Sequence, residues 1–234
     1  MSVPPPVVQV LELSKSFERG PEKVHALVGA TLTIPPGEIL ALVGPSGSGK
    51  TTLLNLLCGW EEPDSGSFLW RGSQAVSSPR TLPWDELSIV PQSLGLLEEL
   101  TIAENVELPG RLATGSTEAS SDRADDLIAD LGLAELKDRL PAEVSLGEQQ
   151  RAALARALVA APALILADEP TGHQDSVWAR GVMRTLRNAC SGGTACLVAT
   201  HNPEVLRYVD RIIGIRDGRL GDLPHEEAMR TTSS

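Results

Sequence analysis

Apolar residues fall along this chain in three patterns, and each predicts a different element. Loose alternation from Val7 to Leu13 and through Thr31-Leu32-Thr33-Ile34 predicts strands, the second closed by the turn Pro35-Pro36-Gly37. Asp64-Ser65-Gly66 is a turn that opens a further strand, Ser67 to Arg71, so the first third is expected to hold a small antiparallel sheet. Unbroken apolar runs form the second pattern: Glu38 to Val43, Ala163 to Ala167 and Ala195 to Thr200. Runs apolar on both faces suit buried strands of a parallel sheet. The third pattern is helical. Leu53, Leu54, Leu56 and Leu57 share a buried face until Gly59 stops the helix, and Leu127, Ile128 and Leu131 share another. Thr101-Ile102-Ala103-Glu104 has the spacing of a capping box. Ala152 to Ala160 and Ser176 to Asn188 complete the helices, the polar stretch Thr114 to Ser121 is expected to be a mobile loop, and Asp217-Gly218 a hairpin turn. The tail from Asp222 is short and polar, leaving no room for another domain.

Between the first buried run and the first helix stands Gly44-Pro45-Ser46-Gly47-Ser48-Gly49-Lys50-Thr51-Thr52. Strand, glycine-rich loop and helix in that order make a phosphate cradle. Gly44 and Gly49 permit backbone angles that a side chain forbids, so that successive N–H groups converge on phosphate oxygens at a positive helix N-terminus. Lys50 supplies a cation for the β- and γ-phosphates, and the Thr51 hydroxyl is placed to ligate Mg²⁺. A chance coincidence of the four fixed positions is expected in on the order of one chain in a hundred of this length. The flanking apolar patterns lower that further.

Composition narrows the class. The chain has 234 residues, 41% of them hydrophobic, enough for one large domain with a real core. A net charge of −11 and the lack of any Lys/Arg run argue against a nucleic-acid surface. No apolar segment approaches the roughly 20 residues needed to span a bilayer, and Met1 to Val10 is too proline-rich and uncharged for a signal peptide, so the chain is expected in the cytosol. Cys58, Cys190 and Cys196 are odd in number, lack metal-type spacing and read as buried reduced thiols.

Asp168-Glu169 follows the buried run at the sheet edge where ligands of α/β folds gather. Beside a phosphate loop, the Asp is suited to hold Mg²⁺ through its water shell and the Glu to polarise an attacking water. His201 closes the next buried run at the same edge, whereas His25, His173 and His225 lack such placement and read as surface residues. Val144-Ser145-Leu146-Gly147-Glu148-Gln149-Gln150-Arg151 opens a helix, with Ser145 and Glu148 at capping-box spacing.

The order of phosphate loop, Gln92, Ser-x-Gly-Glu-Gln-Gln-Arg, Asp168-Glu169 and His201 resembles the ATP-binding subunit of an ATP-binding cassette (ABC) transporter, over nearly the whole chain. The family's helix-opening signature is usually Leu-Ser-Gly-Gly, and this sequence departs from it at Val144 and Leu146. The resemblance implies a phosphate-loop NTPase core, α/β in class, with an antiparallel β subdomain and an inserted helical subdomain. The β subdomain and core would take residues 1–91 and 151–225, the helical subdomain 92–150 and a tail 226–234. It further implies that Phe17 stacks on adenine, that Gln92 links Mg²⁺ to a partner-facing loop, and that Glu169 is the general base. Ser145 and Gly147 would contact the γ-phosphate held by a second copy, Asp175 would lie in a loop crossing the dimer interface, and His201 would sense the γ-phosphate. On the residues alone Phe17 reads equally as a core aromatic, and Gln92 as a surface loop residue.

Val24-His25-Ala26-Leu27, Glu104-Asn105-Val106-Glu107-Leu108-Pro109 and Ala167-Asp168-Glu169-Pro170-Thr171-Gly172 are similar to the lipoprotein-release, macrolide-export and cell-division group. That group implies a homodimer sandwiching ATP and Mg²⁺, with a membrane permease carrying a large extracytoplasmic domain. The chain would then sit on the inner face of the cell membrane through that partner. Trp60, Trp70, Trp84 and Trp178 fit either a partner groove or core packing. A rival reading from another class is a nucleotide-gated regulatory or scaffold subunit, its ATPase activity weakened by Leu146.

Overall fold

Strand β1 (Val8–Arg19) turns at Gly20 and Pro21 into β2 (Glu22–Ile34), and the two pair antiparallel from Val8 opposite Ile34 to Arg19 opposite Glu22. In the computed structural model, which describes residues 4–72, 78–114, 118–172, 175–225 and 228, the chain continues through β3 (Ile39–Val43), α1 (Lys50–Leu57), β4 (Ser65–Trp70) and β5 (Leu87–Val90). Helices α2 (Ile102–Thr114), α3 (Glu118–Asp130) and α4 (Leu146–Leu158) follow, then β6 (Leu164–Asp168), α5 (Ser176–Ser191), β7 (Ala195–Ala199), α6 (Pro203–Leu206), β8 (Arg211–Arg216) and β9 (Arg219–Asp222). One sheet has the order β2-β1-β4 and is antiparallel; the other has the order β5-β6-β7-β3-β8-β9, parallel except for β9.

The three apolar runs become β3, β6 and β7 at the centre of the parallel sheet, buried at every position. Alternation sorts their side chains between two cores. Leu40 and Leu42, Leu164 and Leu166, and Leu197 face α1 and the antiparallel sheet, where they meet Leu53, Leu54, Leu56 and Leu57. Ile39, Ala41 and Val43, Ile165 and Ala167, and Val198 face the core that holds α4, α5 and the buried sides of α2 and α3. Each fully buried Leu or Ile contributes about 1.5–3 kcal/mol relative to exposure. That rigidity is concentrated under the strand ends from which the candidate residues project.

Several expectations need correction. The strand predicted at Val7 to Leu13 runs on to Arg19, and Thr31 to Ile34 is only the end of a strand that begins at Glu22. Pairing across the hairpin sustains strand where the side-chain pattern fades. The strand placed at Ser67 to Arg71 spans Ser65–Trp70, and β5 had no distinctive pattern because it is only four residues long. The stretch Thr114 to Ser121, expected as a mobile loop, contains the end of α2 and the start of α3; residues 115–117 lie outside the described residues. Polarity misled there because α3 turns its polar face outward and, among the residues whose burial is described, buries Ala124 and Ile128. The tail is not wholly solvated either, since Ala228 is buried in the helical core; 226–227 and 229–234 are outside the described residues. A boundary at residue 150 falls inside α4, one continuous helix against which α2 and α3 pack. Thr101 caps α2, with Glu104 accepting from the Thr101 backbone N–H at 2.8 Å and returning its own N–H to the Thr101 hydroxyl at 3.2 Å.

Candidate functional site

Two glycines of the phosphate loop are fixed by space as well as by angle. A Cβ on Gly44 would stand 2.2 Å from the carbonyl oxygen of Ile215 on β8, and one on Gly49 2.3 Å from that of Ala26 on β2. The loop is therefore pressed between β8 and the antiparallel sheet. Gly49 caps α1 at φ 112°, with no side-chain cap, so no capping side chain claims the first-turn N–H groups of α1. The Lys50 ammonium curls across the loop, donating to the carbonyls of Gly44 at 2.6 Å and Pro45 at 3.1 Å. The Ser48 hydroxyl is buried in the loop and has no hydrogen-bond partner among the described residues.

Strand β6 delivers Asp168 to the same edge of the sheet. Its Oδ2 accepts from the Thr51 hydroxyl at 2.9 Å. Thr51, Asp168 and Gln92 line one hollow of about 390 Å³, whose apolar wall includes Trp60 and Ile89. Three residues far apart in sequence, each named above as a candidate for magnesium, thus share one surface.

Glu169 has a left-handed backbone, φ 51°, which costs a non-glycine residue on the order of 1–3 kcal/mol unless its surroundings hold it. They do. Its N–H donates to Ala199 O at 2.9 Å and its carbonyl accepts from Gln150 Nε2 at 2.7 Å. Its Oε1 accepts the backbone N–H of His201 at 3.0 Å and lies 2.6 Å from His201 Nδ1, while its Oε2 accepts from the Thr200 hydroxyl at 3.1 Å. The His201 ring is 75% exposed, so the side chain meets solvent on one side and the carboxylate on the other.

The remaining candidates lie elsewhere. Ser145 caps α4: its Oγ accepts the Glu148 N–H at 3.3 Å, and Glu148 Oε2 accepts from the Ser145 N–H at 2.7 Å and Oγ at 2.8 Å. Those two bonds hold the Glu148 carboxyl below its ordinary range, so the capping box stays ionised. Ser145, Leu146, Gly147 and Asp175 line a second hollow, with no residue in common with the first. Asp175 caps α5 by accepting from the Val177 and Trp178 N–H groups at 2.9 and 3.0 Å. The Arg151 guanidinium lies over the Trp178 ring at 3.9 Å. Phe17 is not a core aromatic: it is 37% exposed on β1, opposite Val24, two residues along β2 from the Ala26 that abuts the phosphate loop. The Lys15 ammonium lies 5.3 Å from the centre of its ring.

Among the tryptophans, Trp70 is buried and donates to Glu86 at 2.9 Å, whereas Trp60, Trp84 and Trp178 keep exposed faces. All three cysteines are buried and free, and burial raises the thiols, Cys58 to about 11 and Cys190 to about 12. His25 and His225 are exposed, and His173 lies outside the described residues. Gln150 and Thr200 were not singled out from sequence. Gln150 was quoted within the Ser145 to Arg151 run but given no role, and the signal for Thr200 was position alone, beside His201.

Comparison with known proteins gives a consistent set of likenesses. The ABC transporter family pattern matches residues 27–172. The lipoprotein-releasing system ATP-binding protein LolD 1 of Rhodospirillum rubrum is 41% identical over 223 residues, covering 93% of this chain and 99% of that protein. The macrolide export ATP-binding/permease protein MacB of Marinobacter nauticus is 38% identical over 93% of this chain, which corresponds to only 34% of that longer protein. Among solved structures, the dimeric post-hydrolysis state of the ATP-binding cassette MJ0796, bound to ADP and phosphate, superposes with a TM-score of 0.83 at 32% identity, over 93% of this chain and 99% of that one.

Proposed function

Because this chain belongs to the ABC transporter family as an ATP-binding and ATP-hydrolysing subunit, we propose that two copies close head to tail around two Mg-ATP molecules, each phosphate loop covered by the other copy's α4 N-terminus. One observation carries this reading. The phosphate loop, Asp168, Glu169 and His201 converge on one edge of the sheet, while Ser145, Gly147 and Asp175 line a separate hollow. The second hollow opens at the N-terminus of α4; a helix N-terminus attracts phosphate, and a second copy brings it one.

Within that sandwich the residues take distinct roles. Phe17 offers its exposed face to the adenine. The backbone from Gly44 to Thr52, with the hydroxyls of Ser46 and Ser48 at its turn, receives the phosphates, and Lys50 exchanges its carbonyl partners for β- and γ-phosphate oxygens. The orphaned Ser48 hydroxyl suits a site that expects an oxygen-rich ligand. The residues present also fit a magnesium ion, which takes one or two carboxylates and completes its shell with phosphate and water oxygens. Thr51 and Asp168, already in contact, would hold it, with Gln92 on the same hollow. When bound, the ion neutralises charge on the β- and γ-phosphates.

Glu169 accepts a proton from the attacking water as the water oxygen bonds to the γ-phosphorus. The bond from that phosphorus to the bridging oxygen breaks, leaving ADP and phosphate, and the proton passes on to solvent. Lys50, the loop N–H groups and His201 meet the charge that develops on the γ-phosphoryl oxygens. Closing and opening of the sandwich drives a membrane permease with a large extracytoplasmic domain, to which this subunit is held at the inner face of the membrane. The likeness to lipoprotein-release and macrolide-export proteins supports that choice of partner. Among the described residues, no helix of this chain is long and apolar enough to cross a membrane.

Glu169→Gln keeps shape and polar contacts but loses proton-accepting power. Hydrolysis is expected to fall by about 10² or more while ATP still binds, so sedimentation with Mg-ATP should show an accumulated dimer. A mutant that stays monomeric and turns over normally rules out both the base and the sandwich.

A further inference from the structure

The carboxylate of Glu169 is held unequally, and the inequality separates a fixed oxygen from a reacting one. Oε2 is bonded by the hydroxyl of Thr200, a residue with no exposed surface. Oε1 is bonded by the His201 N–H and by the His201 ring, whose side chain is largely exposed. The direction of the Thr200 bond is forced. Its hydroxyl accepts the Asn202 N–H at 3.0 Å, and a hydroxyl has a single proton. Among the described residues the carboxylate is the partner that receives that proton. Asn202 is itself fixed, since its side chain caps α6 at the Glu204 N–H and donates to the buried Thr171 hydroxyl. Neither end of the chain Asn202, Thr200, Glu169 is free to turn. The Glu169 backbone is equally constrained by Ala199 O and Gln150.

The geometry points to Thr200 as a positioning residue that anchors Oε2 and thereby assigns Oε1 as the oxygen that accepts the proton from water. Rotation of the exposed His201 ring opens one of the two occupied positions on Oε1, the backbone N–H of His201 keeping the other, whereas Thr200 stays on Oε2. The inference rests on the ATPase reading above and adds to it a residue outside the motifs that carry that reading. A donor aimed at a carboxylate is stronger than a neutral one and sets orientation as well as energy, and a displacement of about 1 Å in a reacting group lowers rate by about a hundredfold.

The test is single-turnover hydrolysis of Mg-ATP by the full chain, with ATP affinity measured on the same samples. Wild type and Glu169→Gln come first: no turnover by wild type, or equal turnover by the two, defeats the ATPase reading and not Thr200 in particular. With that reading standing, Thr200→Val should slow hydrolysis about tenfold to a hundredfold and leave ATP affinity within about twofold, a split that a general loss of structure does not produce. Thr200→Ser should restore the rate to within about threefold, and Thr200→Val should cost nothing further in a Glu169→Gln background. Should Thr200→Val fail to bind ATP, Thr200→Cys, close in volume and a weak donor, takes its place under the same criterion. Wild-type turnover in Thr200→Val, a folded Thr200→Ser as slow as Thr200→Val, or a full additional loss in the Glu169→Gln background overturns the assignment.

Discussion

In the proposed sandwich, the side chain at position 146 sets how closely the N-terminus of α4 approaches the phosphate held by the second copy. Leu146 follows the Ser145 cap and is 48% exposed, on the hollow shared with Gly147 and Trp178. Glycine there brings the backbone against a ligand without steric cost; leucine adds four carbons on the face that the second copy must meet. The Ser145–Glu148 box and Gly147 are retained, so the helix end stays formed, and partial rather than complete impairment is expected. Leu146→Gly is expected to raise ATPase activity and nucleotide-dependent dimerisation, with little change in ATP affinity of the monomer. Equal turnover in the two proteins, with and without the membrane partner, shows the leucine to be accommodated and removes the main support for a weakly active regulatory subunit. Sequence marked this residue because a local pattern was broken. It did not mark Thr200, whose importance comes from a bond to a residue 31 positions away.

The junction of α3, α4 and α5 depends on one glycine. Gly132 has φ 67°, and a Cβ there would stand 2.2 Å from Cη2 of Trp178, the ring that stacks on Arg151. Trp178 lies in the first turn of α5, the helix capped by Asp175, so the contact ties the helical layer to the loop beside the second hollow. Gly132→Ala forces both a left-handed alanine, about 1–2 kcal/mol, and displacement of the ring from its cation, about 0.5–2 kcal/mol. A fall in Tm of about 3–16 °C is expected at about 2–4 °C per kcal/mol. Thermal unfolding should show a smaller fall when the same change is made in Trp178→Ala, and equal falls in both backgrounds mean that the ring contact is not the source. None of this was legible locally. Gly132 drew no reading from the sequence, and Trp178 was one of four tryptophans with two open readings, because the partner of each lies in another element.

At the scale of the whole molecule, closure brings together two copies that each carry a formal net charge of −11. Like net charge opposes association over distances comparable to the Debye length, about 30 Å at 0.01 M salt and about 8 Å at 0.15 M. The Mg-ATP dimer trapped by Glu169→Gln is therefore expected to tighten as sodium chloride rises across that range in sedimentation equilibrium; a dimer that weakens instead is held mainly by local ion pairs across the interface. What the sequence determined by itself was set by local order: the buried strands, because a run apolar on both faces has one stable environment, and the phosphate loop, because its chemistry is contained in nine consecutive residues. The Asp168-Glu169 pair and His201 were legible for the same reason, each ending a buried run at the ligand edge of the sheet. Only the tertiary structure decided which groups hold Glu169, that Phe17 faces outward beside the loop, that Thr51, Asp168 and Gln92 share one hollow, and that Ser145, Gly147 and Asp175 line another. Those facts depend on strand order and on packing between segments far apart in the chain, and no local pattern of residues encodes them one by one.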